Sequence, residues 1–270
     1  IITRSFYGLK TMPHVTDSGD HLQRKRFFDR LLTVYGRNPV IEALENRDIP
    51  CYRIHLADSN KPGGIIKQII DLAEKRSVEV VYHSRQELSR ISRNGKQDQG
   101  VAADLECPNH QLLDDFLANP PKENYSLIAL DGITNPQNLG MIIRSVTASP
   151  CHGILLPKQG TAAISALVIK ASAGTLFKST LIHCDSLEQA LPKLTAHGAT
   201  CCTLSSHSAQ LLSEFQVESP VVYVLGNETE GVSKKVAELC SAQIRIPMSN
   251  GVESLNVAVT AALLAFRNQL

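Results

Sequence analysis

Five consecutive β-prone apolar residues, Val221-Val222-Tyr223-Val224-Leu225, stop abruptly at Gly226-Asn227-Glu228. A run this short and unbroken, closed by a glycine and an acidic residue, predicts a strand buried on both faces, the environment of a parallel sheet. The signature recurs at Leu127-Ile128-Ala129-Leu130-Asp131, which runs into Gly132. Further strand-like runs begin at Gly153, Thr180, Thr200 and Gln243, and helical stretches at 162–171, 187–197 and 233–239 alternate with them. Regular alternation of this kind predicts an α/β fold whose mostly parallel sheet is covered by helices on both faces. Ligands of such sheets bind at the carboxyl ends of the strands, so the turns after Leu130 and Leu225 are the places to look for chemistry.

Two more segments point to that edge. Gln243 to Ile246 can form a strand that Pro247 stops, and Ser254 can cap the apolar helix that follows Glu253-Ser254-Leu255-Asn256-Val257. After Gly132 comes Ile133-Thr134-Asn135-Pro136-Gln137-Asn138-Leu139-Gly140, then Met141-Ile142-Ile143-Arg144. A helix beginning near Asn138 would carry Asn138 and Arg144 on its first two turns.

The rest of the chain narrows the class. With 270 residues and 43% hydrophobic content, two modest domains with their own cores are affordable. There is no apolar run of the roughly eighteen residues a membrane span needs, and Ile1 to Tyr7 leads into polar residues rather than a signal core, so a cytoplasmic protein is expected. The seven cysteines include no CxxC pair, and Cys201-Cys202 are adjacent, so reduced core thiols are expected and no metal. Neither GxGxxG nor GxxxxGK[ST] follows a strand, which excludes the usual phosphate-cradling turns. The net charge of +1 is uninformative, but Arg24-Lys25-Arg26, Arg30 and Arg37 make a local basic segment suited to phosphate contact or to a solvated helix face.

Four divisions are expected. Residues 1–33 read as an extension and 34–106 as a small α/β domain. The latter has helices at 39–45, 65–75 and 85–91 and strands at 52–57, 78–82 and 101–105. Residues 107–125, ending in Asn119-Pro120-Pro121-Lys122, read as a connecting helix and linker, and 126–270 as the main domain.

The three C-terminal segments, in this order, resemble the three motifs of the SpoU/TrmH branch of the SPOUT superfamily, RNA ribose 2′-O-methyltransferases similar to the bacterial enzymes of 23S rRNA guanosine. Val34-Tyr35-Gly36-Arg37-Asn38-Pro39 and Gln99-Gly100-Val101-Ala102-Ala103 resemble the RNA substrate-binding domain that precedes the catalytic domain in many members. The resemblance implies a trefoil knot at the C-terminus, S-adenosylmethionine bent within the knotted loops, an RNA partner and a homodimer paired through the knot face.

It also implies roles. Arg144 takes the place of the catalytic arginine, Asn138 of the asparagine that orients it and the ribose, Glu228 of the motif glutamate, and Ser254 with Asn256 of the third-motif pair. Gly226, Ile246 and Leu255 fall on cofactor positions, with Leu204, Pro247 and Met248 as neighbours. An arginine stays protonated because its pKa exceeds about 12, so Arg144 is expected to grip phosphate and stabilise a developing alkoxide while the proton passes to water. On the residues alone, Asn138 and Ser254 could be helix caps, Glu228 an ordinary turn residue, and Met248 and Leu255 core. Ser149-Pro150-Cys151-His152-Gly153 departs from the family pattern at the end of the catalytic helix. The reading that follows is ribosomal RNA methylation. The alternatives are a tRNA enzyme, a non-catalytic RNA-binding or ribosome-assembly factor of the same fold, and a small-molecule nucleotide enzyme.

Overall fold

The computed structural model describes residues 30–61, 63–216 and 218–269. The basic run Arg24-Lys25-Arg26 and most of the expected extension therefore lie outside the described residues.

The first layer is a four-stranded sheet of β1 (Leu31–Tyr35), β2 (Cys51–Ala57), β3 (Glu79–His83) and β4 (Val101–Glu106), in the order β1-β4-β2-β3. β4 runs antiparallel to both β1 and β2, and β2 is parallel to β3. Helices α1 (Arg37–Glu45), α2 (Gly64–Lys75) and α3 (Arg85–Ser92) cover it. α3 starts at a capping box in which Ser84 and Glu87 satisfy each other's backbone amides. The domain was expected to open at Val34, but its first strand begins at Leu31, because Leu31 to Tyr35 pair in register with Ala102 to Glu106.

The second layer is a seven-stranded sheet, all parallel. Its members are β5 (His110–Leu112), β6 (Ser126–Leu130), β7 (Gly153–Pro157), β8 (Leu181–Cys184), β9 (Thr200–Leu204), β10 (Val221–Leu225) and β11 (Ala242–Ile244), in the order β11-β9-β10-β6-β7-β8-β5. The predicted parallel sheet is therefore what forms. Alternate residues of a strand face opposite ways, so Ile128, Leu130, Tyr223 and Leu225 enter one apolar core, and Leu127, Ala129, Val222 and Val224 another. The first core is roofed by α5 (Pro136–Thr147), α6 (Ala166–Ala171) and α9 (Val257–Ala265), and it is continuous with the core of the first layer. The second is roofed by α4 (Leu113–Ala118), α7 (Leu187–Ala196) and α8 (Lys234–Ala237). Each fully buried Leu or Ile contributes about 1.5–3 kcal/mol of burial free energy.

Several boundaries differ from expectation, each for a local reason. The stretch read as a linker supplies β5, the edge strand beside β8, and α4, whose Leu113, Phe116 and Leu117 are buried. α5 begins at Pro136 rather than near Asn138, because Asn135 caps it and proline suits the first helical position. α6 begins at Ala166 rather than Ala162: Ser165 at its N-cap is extended, and the Ala162 amide is bonded to the Ile133 carbonyl (2.8 Å). β11 ends at Ile244, where Arg245 turns to bridge Leu211.

Among the described residues no helix is long and apolar enough to cross a membrane. All seven cysteines are free, and burial pushes the Cys107, Cys184 and Cys202 thiols up to about 12.

Candidate active site

From β6 the chain steps outward to β7 and β8, then returns to the other side of β6 through β9 and β10. The strand order reverses at the β6–β10 pair, the position where an open parallel sheet leaves a crevice at its carboxyl edge. The two turns leaving that pair build the site.

After β10, Gly226 lies so close to the returning chain that a Cβ would sit 1.9 Å from the Gly231 carbonyl carbon, so only glycine fits. The Asn227 carboxamide oxygen accepts the amides of Thr229 (2.9 Å) and Glu230 (2.7 Å), and its carbonyl accepts that of Gly231 (3.0 Å). This closed turn holds Glu228 at its tip. After β6, Asp131 ties the two turns together: its amide reaches the Leu225 carbonyl (2.8 Å) and its carboxylate accepts from the Ser233 amide (2.7 Å).

Three side chains from distant parts of the sequence meet at this point. The Asn138 carboxamide donates to Glu228 Oε1, and the Asn256 carboxamide donates to Asn138 Oδ1 (3.1 Å) and to Glu228 Oε1 (3.4 Å). Asn138 is 5% exposed, so its two bonds replace water that burial has removed. The remaining Asn256 oxygen accepts the Ala258 amide (2.9 Å), which makes Asn256 the cap of α9. The expected cap, Ser254, is exposed and lies two residues upstream of that position. Cap and cluster are therefore united in Asn256, which holds α9 and the site in one geometry.

Beside the cluster is a cavity of about 240 Å³. Of the residues singled out from sequence, Leu204, Gly226, Glu228, Ile246, Met248, Ser254 and Leu255 line it, while Pro247, Asn138 and Asn256 do not. The walls also include Ser205, Ser206, Val232, Val257 and Thr260, which the sequence reading missed. Ser205 and Ser206 follow directly on β9, and the rule that led to Gly226 would have led there. Thr260, whose hydroxyl bonds the Asn256 carbonyl (3.3 Å), carried no sequence signal beyond its place one turn into α9.

Arg144 is not brought to the cluster. Six residues beyond Asn138, it points about 120° away round α5. It is exposed and makes no side-chain hydrogen bond or ion pair with a described residue. Among the described residues, no group of three or more His, Cys, Asp or Glu side chains is arranged to hold a metal. The arrangement offers an apolar slot with backbone groups at its mouth, a carboxylate held by two carboxamides and a separate, uncommitted guanidinium.

Residues 125–266 match the SpoU rRNA Methylase family, and residues 33–111 match the RNA 2′-O ribose methyltransferase substrate binding family. A Mycolicibacterium vanbaalenii protein named as an uncharacterized tRNA/rRNA methyltransferase is 31% identical over 233 residues, 86% of this chain and 74% of its own length. A Bacillus subtilis protein, YacO, named as a TrmH family tRNA/rRNA methyltransferase, is 30% identical over 235 residues, 86% of this chain and 93% of its own. Among solved structures, the SpoU methyltransferase AviRb of Streptomyces viridochromogenes superposes with a TM-score of 0.61 at 22% identity, covering 93% of this chain and 94% of that one. An rRNA methyltransferase of Sinorhizobium meliloti gives 0.60 at 24%, covering 94% and 91%. At these identities the structural likeness speaks for the fold.

Proposed function

This chain belongs to the SpoU rRNA methylase family, and from that premise we propose that it is an S-adenosylmethionine-dependent ribose 2′-O-methyltransferase of ribosomal RNA, 23S rRNA in particular, working as a homodimer. The observation that carries the reading is the convergence of Asn138, Glu228 and Asn256 beside the 240 Å³ cavity, which Glu228 lines.

The cavity suits the cofactor. Leu204, Ile246, Met248 and Leu255 give aliphatic walls for a flat adenine, and the turn that only Gly226 permits brings backbone polar groups within reach of its edge. The AviRb and Sinorhizobium meliloti structures are both described as AdoMet complexes, which supports the same ligand here. Bound there, S-adenosylmethionine supplies an electrophilic methyl group. The chain's own part is to hold the ribose: the Asn138–Asn256 pair fixes the Glu228 carboxylate, and the cluster is placed to orient the 2′-hydroxyl. Holding reactants in line lowers the barrier of a one-step transfer without a covalent enzyme intermediate. The guanidinium of Arg144 stabilises the oxygen as its proton leaves to water.

Homodimer formation is supported by the outer face of α5 and α9. Met141 is 41% exposed on α5, three residues before the exposed Arg144, and Val259 is 49% exposed on α9, a helix that is apolar all round. Pairing through this face offers a way for Arg144 to meet a cluster it does not reach within its own chain. The substrate-binding match over residues 33–111 supports ribosomal RNA over tRNA, because it adds an RNA-holding domain to the catalytic one.

The deciding experiment is transfer of radiolabelled methyl from S-adenosylmethionine to purified 23S and 16S rRNA and bulk tRNA, followed by nuclease mapping. Label on a single 2′-oxygen of 23S rRNA, lost in Arg144→Ala, is the expected result. Label confined to tRNA would overturn the substrate, and cofactor binding without label on any RNA would favour the assembly-factor alternative.

A further inference from the structure

The two N-terminal motifs singled out in the sequence, Tyr35-Gly36-Arg37-Asn38 and Gln99-Gly100, are about sixty residues apart, yet Tyr35, Gly36 and Asn38 of one and Gln99 of the other line a second cavity. It measures about 300 Å³ and lies between the two layers, walled on one side by Tyr35, Asn38, Gln97 and Gln99 and on the other by Ser165, Ala166 and Leu167 of α6 and its approach. That volume is at the small end of ligand sites, enough for one base with its sugar and too small for a duplex. A chain of contacts runs from the segment before its α6 wall to the candidate site: the Ala162 amide bonds the Ile133 carbonyl, and a Cβ at Gly132 would meet Asn227, the neighbour of Glu228.

The N-terminal wall is a built surface. Asp98 is fully buried and anchors the loop by accepting from the Gly100 amide (2.9 Å), Ser92 (2.8 Å) and Arg85 (2.8 Å). With Asp98 turned inward, its neighbours Gln97 and Gln99 face the cleft. Gln99 is held at φ 53, a left-handed conformation uncommon for a residue with a side chain. Each glutamine has its oxygen occupied: Gln97 Oε1 accepts from Asn94 (3.0 Å), and Gln99 Oε1 from the Arg37 amide (3.2 Å). Both carboxamides are thereby oriented with their NH2 groups uncommitted among the described residues. The Tyr35 hydroxyl is fixed by Asn94 (3.0 Å), the residue that also holds Gln97, while the Tyr35 ring packs against Ala57, Leu88 and Ala102.

We propose that this cleft is a subsite for one unpaired RNA base flanking the methylated nucleotide, and that its paired amide donors select a base with two adjacent acceptors, cytosine (N3, O2) or guanine (O6, N7). The proposal rests on the RNA-modifying reading above and deepens it. Single-stranded RNA is read in this way, by hydrogen bonds to the edges of unstacked bases. Arg37 does not line the cleft, but its guanidinium, fixed on the Gln99 carbonyl (3.4 Å) and Asn60 (3.4 Å), has donors left for the strand's phosphate beside it.

The test uses the full chain and fluorescein-labelled decauridylates carrying a central U, A, C or G, with binding read by anisotropy. Cytosine or guanine is expected to raise affinity about tenfold over uracil or adenine. The Gln97→Ala/Gln99→Gly double variant, which keeps the left-handed backbone, should reduce that preference to within about twofold. Ala166→Trp, which fills the cleft from the opposite wall, should weaken the preferred oligonucleotide by a similar factor, and both variants should bind S-adenosylmethionine with unchanged affinity. A preference for adenine or uracil, no preference at all, or a preference that survives both variants would overturn the assignment. If wild-type protein methylates no RNA and the base preference still responds to the variants, the reaction falls and the subsite stands. Methyl transfer with an unresponsive preference means the reverse.

Discussion

The carboxyl edge of the seven-stranded sheet has two stretches made of the same parts and used in opposite ways. At the β6–β10 pair, in the middle of the sheet, Glu228 is occupied by two neutral carboxamides, a cavity stays open beside it, and Arg144 stands free of any described partner. At the β8–β5 end the charges are matched internally: Lys158 pairs with Asp185 (2.6 Å) and Lys193 with Asp114 (2.6 Å). Its histidines, His110 and His183, are kept neutral by burial, His110 pushed down to about 3. A strand end becomes a candidate site when the order of strands reverses there and when its charge is left uncommitted. The β8–β5 end meets neither condition.

That contrast breaks most visibly if Asn138→Ala or Glu228→Ala leaves methyl transfer intact. Either change is expected to lower single-turnover transfer by about 10²-fold or more, since a misplacement of about 1 Å costs that much, with the unfolding midpoint little moved. If Arg144 acts across a homodimer, mixing inactive Arg144→Ala with inactive Asn138→Ala chains should restore about a quarter of the wild-type rate, because half of the random dimers carry one intact site. No recovery would place Arg144 and Asn138 in the same chain's site, or neither in any.

A second way to sharpen the comparison is through the helix that carries the site. Gly140 in α5 lies where a Cβ would be 2.5 Å from that of Ala171 and 2.8 Å from the Val168 carbonyl. Gly140→Ala should therefore cost about 1–3 kcal/mol in denaturant unfolding. A neutral result would mean that α5 and α6 pack less closely than described.

The β8–β5 end should respond to acid. Burial lowers the His110 pKa to about 3 from 6.5, so the unfolded chain takes up a proton that the folded chain refuses. The stabilising term is full above about pH 6.5 and is lost as pH falls toward 3, amounting to about 2 kcal/mol at pH 5. Midpoints measured at pH 7.5 and 5.0 should converge in His110→Phe relative to the wild type. An unaltered pH slope would show that another group carries it. The smallest effect is expected of Lys193→Ala, which opens an exposed ion pair and should move the midpoint by less than about 2 °C without altering transfer.

The sheet was legible because its code is local. Val221 to Leu225 and Leu127 to Leu130 are apolar at every position, and strand spacing with turn-forming residues between predicted parallel pairing before any contact was known. Strand β1 escaped notice because Leu31 to Tyr35 is half-buried and depends on pairing with β4. The site was partly legible: Gly226, Glu228 and Ile246 lie just beyond strand ends, where position along the chain predicts position in space. Ser254 was misread as the cap because serine and asparagine are equally good caps, and the choice between them depends on where the Asn256 side chain finds its other partners.

The sequence by itself determined the alternation of buried strands and helices and the glycine turn at Gly226, since each is decided by residues within a few positions of one another. Only the tertiary structure decided that Asn138, Glu228 and Asn256 share hydrogen bonds although 90 and 118 residues separate Asn138 from its two partners. It also decided that Arg144 faces away from them, and that Gln97 and Gln99 meet α6 across a cleft. Such outcomes depend on strand order and on how each helix rotates against the sheet, and these follow from packing the whole apolar core at once rather than from any local run of residues.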